Sequence, residues 1–236
     1  VSSSSLRSMR VSIRMLVGAA FGFLFVMAVG VASAGGTASS DRVLPDVELA
    51  PAAVVAAGAD SIDLNAVARL TSYGPLIQRG TAVQLDDGRI ATVAHALVDA
   101  RRASLGVDPL PLVGIGDESL VSMSRLHDLS SVADSVLASS LRVASSPGVI
   151  GQEVALAGYP SDGRIVTTTG TIIARSAGVG YGIGRPDVFV ISATVEQGWS
   201  GGPVVDGNGD VIAIIVGVEQ RSGVTLAVPI EYLPEV

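Results

Sequence analysis

Glu196-Gln197-Gly198-Trp199-Ser200-Gly201-Gly202-Pro203 lies between two apolar runs, Val188 to Ala193 before it and Val211 to Val218 after it. Six of its residues read G-x-S-G-G-P. A nucleophilic serine has to stand exposed on a tight turn, with backbone amides beside it aimed at a developing oxyanion. Glycine at position 198 permits the dihedrals that turn neighbouring N–H groups the same way. Gly201 and Gly202 keep bulk off the path of attack. The competing reading is a Gly-Ser turn in a β-protein with no chemistry. What decides between them is whether the rest of the chain supplies a base and an acid.

A serine hydroxyl is a weak nucleophile at neutral pH, so it needs a base, and the base needs orienting. There are two histidines, His95 and His127. His95 ends a strand-like run in Ala91-Thr92-Val93-Ala94-His95-Ala96 and is the candidate base. Two acids follow it at suitable distance: Asp128, in Asp128-Leu129-Ser130-Ser131-Val132, and Asp134, in Asp134-Ser135-Val136-Leu137. His127 adjoins Asp128. Neighbouring side chains on a strand face opposite ways, so His127 is read as a loop histidine with no catalytic part.

These blocks resemble those of the trypsin-like (chymotrypsin-fold) serine proteases. T-V-A-H-A is similar to their T-A-A-H block, and G-W-S-G-G-P to their nucleophile block. Gly80-Thr81-Ala82-Val83 resembles the strand before the histidine, and Gly158-Tyr159-Pro160 the G-Y-P of bacterial members. Thr225-Leu226-Ala227-Val228-Pro229-Ile230 is similar to the closing strand of HtrA-type proteases. The resemblance spans about residues 65–236 and implies an all-β fold of two six-stranded antiparallel β-barrels with the active site between them. The chain order His, Asp, Ser is that of the chymotrypsin group.

The family's acid block is typically D-L-A-x-L. Asp128 matches its first, second and fifth positions and is favoured, with Asp134 as the alternative. The resemblance implies a triad of Ser200, His95 and Asp128, with the N–H groups of Gly198 and Ser200 as the oxyanion hole and Trp199 adding bulk near the pocket. It places the substrate pocket at Thr194, Val216, Gly217, Val218 and Leu226. None of these carries a charge, so a small or medium apolar residue is expected before the cut bond.

Composition agrees with this class. Gly 28 and Pro 11 in 236 residues, with many Val, Ile and Thr, favour short strands and frequent turns. Expected strands include Thr81–Leu85, Arg89–Val93, Ala103–Val107, Leu112–Ile115 and Leu120–Leu126. A second group comprises Glu153–Gly158, Ile165–Ala174, Val188–Ala193, Val204–Val205, Val211–Val218 and Val224–Val228. Asp86-Asp87-Gly88 reads as a hairpin turn. Cysteine is absent, which removes disulfides, thiolate zinc sites and cysteine nucleophiles. No metal and no cofactor are expected.

Met15 to Val31 is a 17-residue apolar run behind Arg7, Arg10 and Arg14, followed by Ala32-Ser33-Ala34, a small-x-small cleavage pattern. It reads as a signal peptide, or as an uncleaved helical membrane anchor with its N-terminus in the cytoplasm. Either delivers the remainder outside the cytoplasm. Beyond residue 34 the chain holds 12 arginines, no lysine and 22 acids, a net charge of −10. Nucleic acid is a poor partner for that charge. The expected partner is a peptide or protein substrate, with membrane contact only through an uncleaved N-terminus.

The expected organisation is 1–34 signal or anchor, 35–62 linker or propeptide-like segment, 63–140 first barrel and 141–236 second barrel. Two glycine-rich features are set aside. Asp206-Gly207-Asn208-Gly209-Asp210 opens like a calcium loop but has Val211 at position six and Gly217 at position twelve, so it reads as a hairpin turn. Gly178, Gly180, Gly182 and Gly184 alternate without a following helix and read as a loop bordering the cleft. The alternative to a protease is a catalytically weak or inactive protein of the same fold that binds peptides or a partner. D-L-S-S-V, an imperfect acid block, motivates it.

Overall fold

Short β-branched runs separated by Gly, Asp and Pro become thirteen strands among the residues described by the computed structural model, which are 57–106, 108–110, 121–124, 128–133, 137–161, 163–177 and 187–235. Two one-turn 3-10 helices, Ala59–Ser61 and Leu64–Ala66, lead in. They deliver the chain into β1 (Val67–Tyr73), β2 (Ile77–Gln84) and β3 (Arg89–Val93). A 3-10 turn over Ala94–Ala96 carries His95. Then come β4 (Arg102–Leu105), β5 (Asp108–Leu110), β6 (Val121–Ser124) and β7 (Leu129–Ala133).

These strands form one antiparallel seven-stranded sheet in the order β5-β4-β1-β2-β3-β7-β6. Sequence reasoning expected a closed barrel of six here. The difference lies at the two ends: β5 and β6 are three and four residues long and are not paired with each other among the described residues. The expected strand Leu112–Ile115 lies outside those residues, as do the N-terminal apolar run and most of the linker.

The second half matches its expectation. β8 (Glu153–Gly158), β9 (Val166–Ala177), β10 (Asp187–Ile191), β11 (Pro203–Val205), β12 (Val211–Val218) and β13 (Thr225–Pro229) close into a six-stranded antiparallel barrel in the order β10-β13-β12-β11-β8-β9. Its interior is a dense apolar cluster that includes Leu156, Ile172, Phe189, Ile191, Trp199, Ile212 and Ile215. Each fully buried side chain of this size contributes about 1.5–3 kcal/mol.

Leu141 to Ala144 stitches the two halves together. Leu141 exchanges backbone bonds with the end of β2, its N–H to Gln84 C=O at 2.9 Å and its C=O from Asp86 N–H at 2.9 Å. Arg142 C=O and Ala144 N–H pair with Val211 at 2.7 and 3.0 Å. From the other end of the chain, Pro234 C=O accepts from Arg89 Nη1 at 3.1 Å and Ser131 Oγ at 2.5 Å, returning the C-terminal residues to the first sheet. No helix among the described residues is long and apolar enough to cross a membrane.

Candidate active site

β3 ends at Val93, and the following 3-10 turn lifts His95 to the margin of the first sheet. That turn is fixed by the buried Ser72 hydroxyl, which donates to Ala96 C=O at 2.6 Å. Asp128, just before β7, pairs with the same turn through backbone and side chain. Its C=O accepts from Ala94 N–H at 3.0 Å, its Oδ1 from His95 N–H at 2.9 Å, and its Oδ2 lies 2.5 Å from His95 Nδ1. The residue has φ 53°, a left-handed conformation that Asp tolerates better than most residues. His127 and Asp134 lie outside the described residues.

Ser200 stands half-buried on the loop between β10 and β11. Every peptide carbonyl of that loop from 197 to 200 has a donor. Ser161 N–H and Oγ donate to Gln197 C=O at 3.0 and 3.1 Å. Thr81 Oγ1 donates to Gly198 C=O at 2.9 Å, Gly202 N–H to Trp199 C=O at 2.9 Å, and Thr81 N–H to Ser200 C=O at 2.8 Å. Because N–H and C=O of a trans peptide point opposite ways, fixing these carbonyls fixes the amides. Those of Gly198 and Ser200 donate to no acceptor among the described residues. Gly198 sits at φ 101°, the region open to glycine.

Thr81 is the hinge of this arrangement. It is fully buried, accepts Tyr159 N–H at 2.9 Å on the same hydroxyl that reaches Gly198, and its own C=O takes Thr92 Oγ1 at 2.8 Å. The two halves approach so closely here that a Cβ on Gly201 would fall 1.9 Å from Thr81 O. Gly201 is glycine for that contact rather than to clear the path of attack. One residue before Thr81, Gly80 is packed between Ser200 and the His95 turn: a Cβ there would lie 3.0 Å from Ser200 O and 3.7 Å from Ala96 Cβ.

No family model matches the sequence. Two serine proteases of Mycobacterium tuberculosis, Rv3671c of strain H37Rv and MT3772 of strain CDC 1551 / Oshkosh, are 31% identical over 183 residues, 73% of this chain and 44% of theirs. The chain thus spans less than half the length of these curated relatives. Among solved structures, the active form of the Rv3671c protease aligns with a TM-score of 0.61 at 23% identity, over 80% of this chain and 90% of that one. The HtrA-type protease AlgW with a tripeptide aligns at 0.60 and 22%, over 73% and 59%. The chain is thus similar in sequence to these serine proteases, and it has the fold shared by the Rv3671c protease and the HtrA-type protease AlgW.

Within this fold the expected pocket residues are spread along β12, β13 and the approach to the serine loop. A register shift between Ile215 and Gly217 bulges β12 at Val216. Val216 C=O then lies 3.4 Å from Ser200 Oγ, at the limit of a hydrogen bond. Gly217 and Val218 pair with Leu226 and Thr225. Leu226 is buried, while Thr194 is exposed, its neighbour Ala193 C=O tied to Thr225 Oγ1 at 2.7 Å.

Trp199 does not line a pocket. It turns inward, 3% exposed, into the core of the closed barrel. Its ring lies against Gly158 so closely that a Cβ there would come within 2.6 Å of it. Its Nε1–H is buried without an acceptor. The sequence names an aromatic beside the serine but not the side of the loop from which it projects.

The Asp206–Asp210 segment is a turn: Asp206 N–H donates to Asp210 C=O at 3.0 Å, and Asp206 Oδ1 accepts Asn208 and Asp210 N–H at 2.8 and 3.0 Å. Asp210 also pairs with Arg142 at 2.6 Å. The Asp206 carboxylate thus closes the turn, and that of Asp210 is engaged with Arg142. The alternating glycines 178–184 lie outside the described residues. Thr81 and Ser161, which hold the serine loop, carry no sequence signal of that task; their bonds span 117 and 36 residues.

Proposed function

We propose that the chain is a serine endopeptidase that cuts peptide bonds through a covalent acyl-enzyme formed on Ser200. The observation that carries this reading is the Asp128 carboxylate set against both His95 Nδ1 and the His95 backbone N–H, on the face of the first sheet that also receives the Ser200 loop. Asp128 holds the imidazole with Nδ1 as donor, which leaves Nε2 as the base. His95 takes the Ser200 proton as Oγ attacks the substrate carbonyl, and Gly198 and Ser200 N–H receive the oxyanion. The proton passes to the leaving amine as the C–N bond breaks. Water, deprotonated by His95, then releases the acid and restores Ser200.

The substrate is a peptide or protein segment laid along β12, with an apolar side chain near Val216, Gly217, Val218 and Leu226. That an HtrA-type protease of this fold has been solved with a bound tripeptide supports the substrate class. The charged, apolar and small-residue blocks of residues 1–34 support export, with the domain released or tethered outside the cytoplasm. The two halves, 63–140 and 141–236, would each contribute one side of the site, and 35–62 the connection to the N-terminus.

Labelling with a fluorophosphonate probe tests the reading. Wild-type chain is expected to label on Ser200, and Ser200→Ala and His95→Ala are not. A folded wild-type chain that takes no label would instead support a peptide-binding protein of this fold.

A further inference from the structure

An oxyanion hole is built from peptide planes, so what sets its amides is whatever holds the opposite edge of each plane. The N–H of Gly198 belongs to the 197–198 peptide, whose C=O is held twice by Ser161, through N–H at 3.0 Å and through Oγ at 3.1 Å. Turning that N–H away from the site requires breaking both bonds. Gly198 is also seated directly on the Ser161 turn: a Cβ on it would lie 2.4 Å from Tyr159 O and 2.8 Å from Ser161 N. The position of Ser161 therefore determines the position of the amide.

Ser161 is held from the other half of the molecule. Arg79 Nη1 donates to Ser161 C=O at 3.0 Å, and Arg69 Nη2 donates to Gly163 C=O. The Arg69 guanidinium lies 5.4 Å from the centre of the Tyr159 ring. Arg69 pairs with Thr81 across β1 and β2, and Arg79 precedes Thr81 by two residues. All three side chains thus project from one face of the first sheet, and all three grip the segment from Tyr159 to Gly163.

We propose that Ser161 is a positioning residue for the oxyanion hole, and that Arg79 and Arg69 hold it in place from the first sheet. The closed barrel carries the Gly198 amide, and the seven-stranded sheet fixes its direction. Arg79 is exposed, so this grip is open to solvent and to any partner or ligand that competes for the guanidinium. The proposal rests on the serine-protease reading above and adds to it which residues set the electrophilic site.

The test compares wild type with Arg79→Ala, Arg79→Lys, Ser161→Ala and the Arg69→Ala/Arg79→Ala pair. Three quantities are read: kcat and KM on a peptide substrate, affinity for a peptide boronic acid, whose tetrahedral adduct loads the oxyanion hole, and Tm. Losing one oxyanion donor costs about 10²–10³-fold in kcat. A loosened donor is expected to cost less, about 10-fold in the arginine pair and about 3-fold in Ser161→Ala, which keeps its N–H. Boronate affinity is expected to fall by the same factor as kcat, with KM and Tm little changed and Arg79→Lys recovering part of the loss.

Unchanged kcat in the arginine pair, or a loss that follows Tm or KM while boronate affinity holds, overturns the clamp. In those outcomes wild type still labels with fluorophosphonate and turns over, so the protease reading stands. A wild-type chain that takes no fluorophosphonate overturns that reading, and the clamp with it.

Discussion

Asp128 meets His95 twice with one carboxylate, Oδ1 on the backbone N–H at 2.9 Å and Oδ2 at 2.5 Å from Nδ1. The first bond fixes where the 3-10 turn sits, and the second fixes which way the ring faces. A carboxylate that held only the ring would leave the turn free to drift, and one that held only the turn would leave the imidazole free to change tautomer. Ala94 N–H to Asp128 C=O at 3.0 Å closes the same contact from the backbone side.

Asp128→Asn separates the two roles. Asn accepts φ 53° as readily as Asp, and its carbonyl oxygen still takes the His95 N–H. An amide facing Nδ1 either leaves two donors opposed or selects the wrong tautomer. The expected loss in kcat is about 10⁴-fold, with KM within a few-fold and a far-UV spectrum like wild type. Steady-state kinetics on one peptide substrate checks it; a variant within ten-fold of wild type would remove Asp128 from the triad.

Thr81→Val and Thr81→Ser form a second pair. Valine has nearly the shape of threonine but leaves Tyr159 N–H and Gly198 C=O buried without a partner. Each such group costs about 1–3 kcal/mol, so urea unfolding is expected to show a loss of about 2–6 kcal/mol together with reduced kcat. Serine keeps the hydroxyl, and the contrast between the two variants is the measurement. Equal behaviour of valine and serine would mean that the hydroxyl bridge is absent in solution.

The tryptophan beside the serine gives a prediction of a small net effect. Trp199 Nε1–H is buried without an acceptor, so Trp199→Phe loses ring volume but also loses an unpaired donor. The two effects offset, and stability is expected to change by less than about 1 kcal/mol. Gly158→Ala drives a methyl into the indole and is expected to cost about 1–3 kcal/mol. Denaturation of both variants ranks them; Phe as the more damaging change would mean that the indole finds a partner in solution.

How much of this was legible in the sequence depends on range. The strands of the closed barrel were read from β-branched runs and its closure from the family resemblance; Glu153–Gly158 and Val211–Val218 match their strands end for end. β7 was not read as a strand, because Leu129-Ser130-Ser131-Val132 does not alternate. All four residues are fully buried, so the strand has no solvent face to leave a period-two pattern. The serine and histidine blocks are contiguous, and a contiguous block carries its own signal. The sequence left the acid open between Asp128 and Asp134; the described residues set Asp128 against His95. Trp199 was read on the wrong side of its loop, since direction is set by the glycine at 158 rather than by the neighbours of residue 199. Thr81 and Ser161 act through backbone bonds to distant residues, and nothing in a threonine or serine announces such a bond.

Specificity gives the last prediction. Val216, whose C=O lies 3.4 Å from Ser200 Oγ, begins the segment Val216-Gly217-Val218, with Leu226 paired opposite Gly217. The proposed pocket, if floored by these side chains, would offer dispersion and no counter-ion, so arginine or lysine would enter at the cost of an unpaired charge. Glu219 is the first acid after β12, but its carboxylate is committed to its own turn, taking Arg221 N–H at 3.1 Å and Ser222 N–H at 2.7 Å. The Ser222 hydroxyl chiefly, with those two amides, holds its carboxyl below the usual range, so it stays ionised and satisfied where it is. A peptide library is therefore expected to be cut after small or medium apolar residues. One extra or missing methylene is worth about 10–200-fold, so the profile is expected to be graded rather than exclusive. Replacing Gly217 with Val is expected to narrow it towards smaller side chains, because a branched residue at that bulge fills the strand edge beside Val216. A profile led by arginine or lysine would require a carboxylate that these residues do not present, and would move the pocket elsewhere.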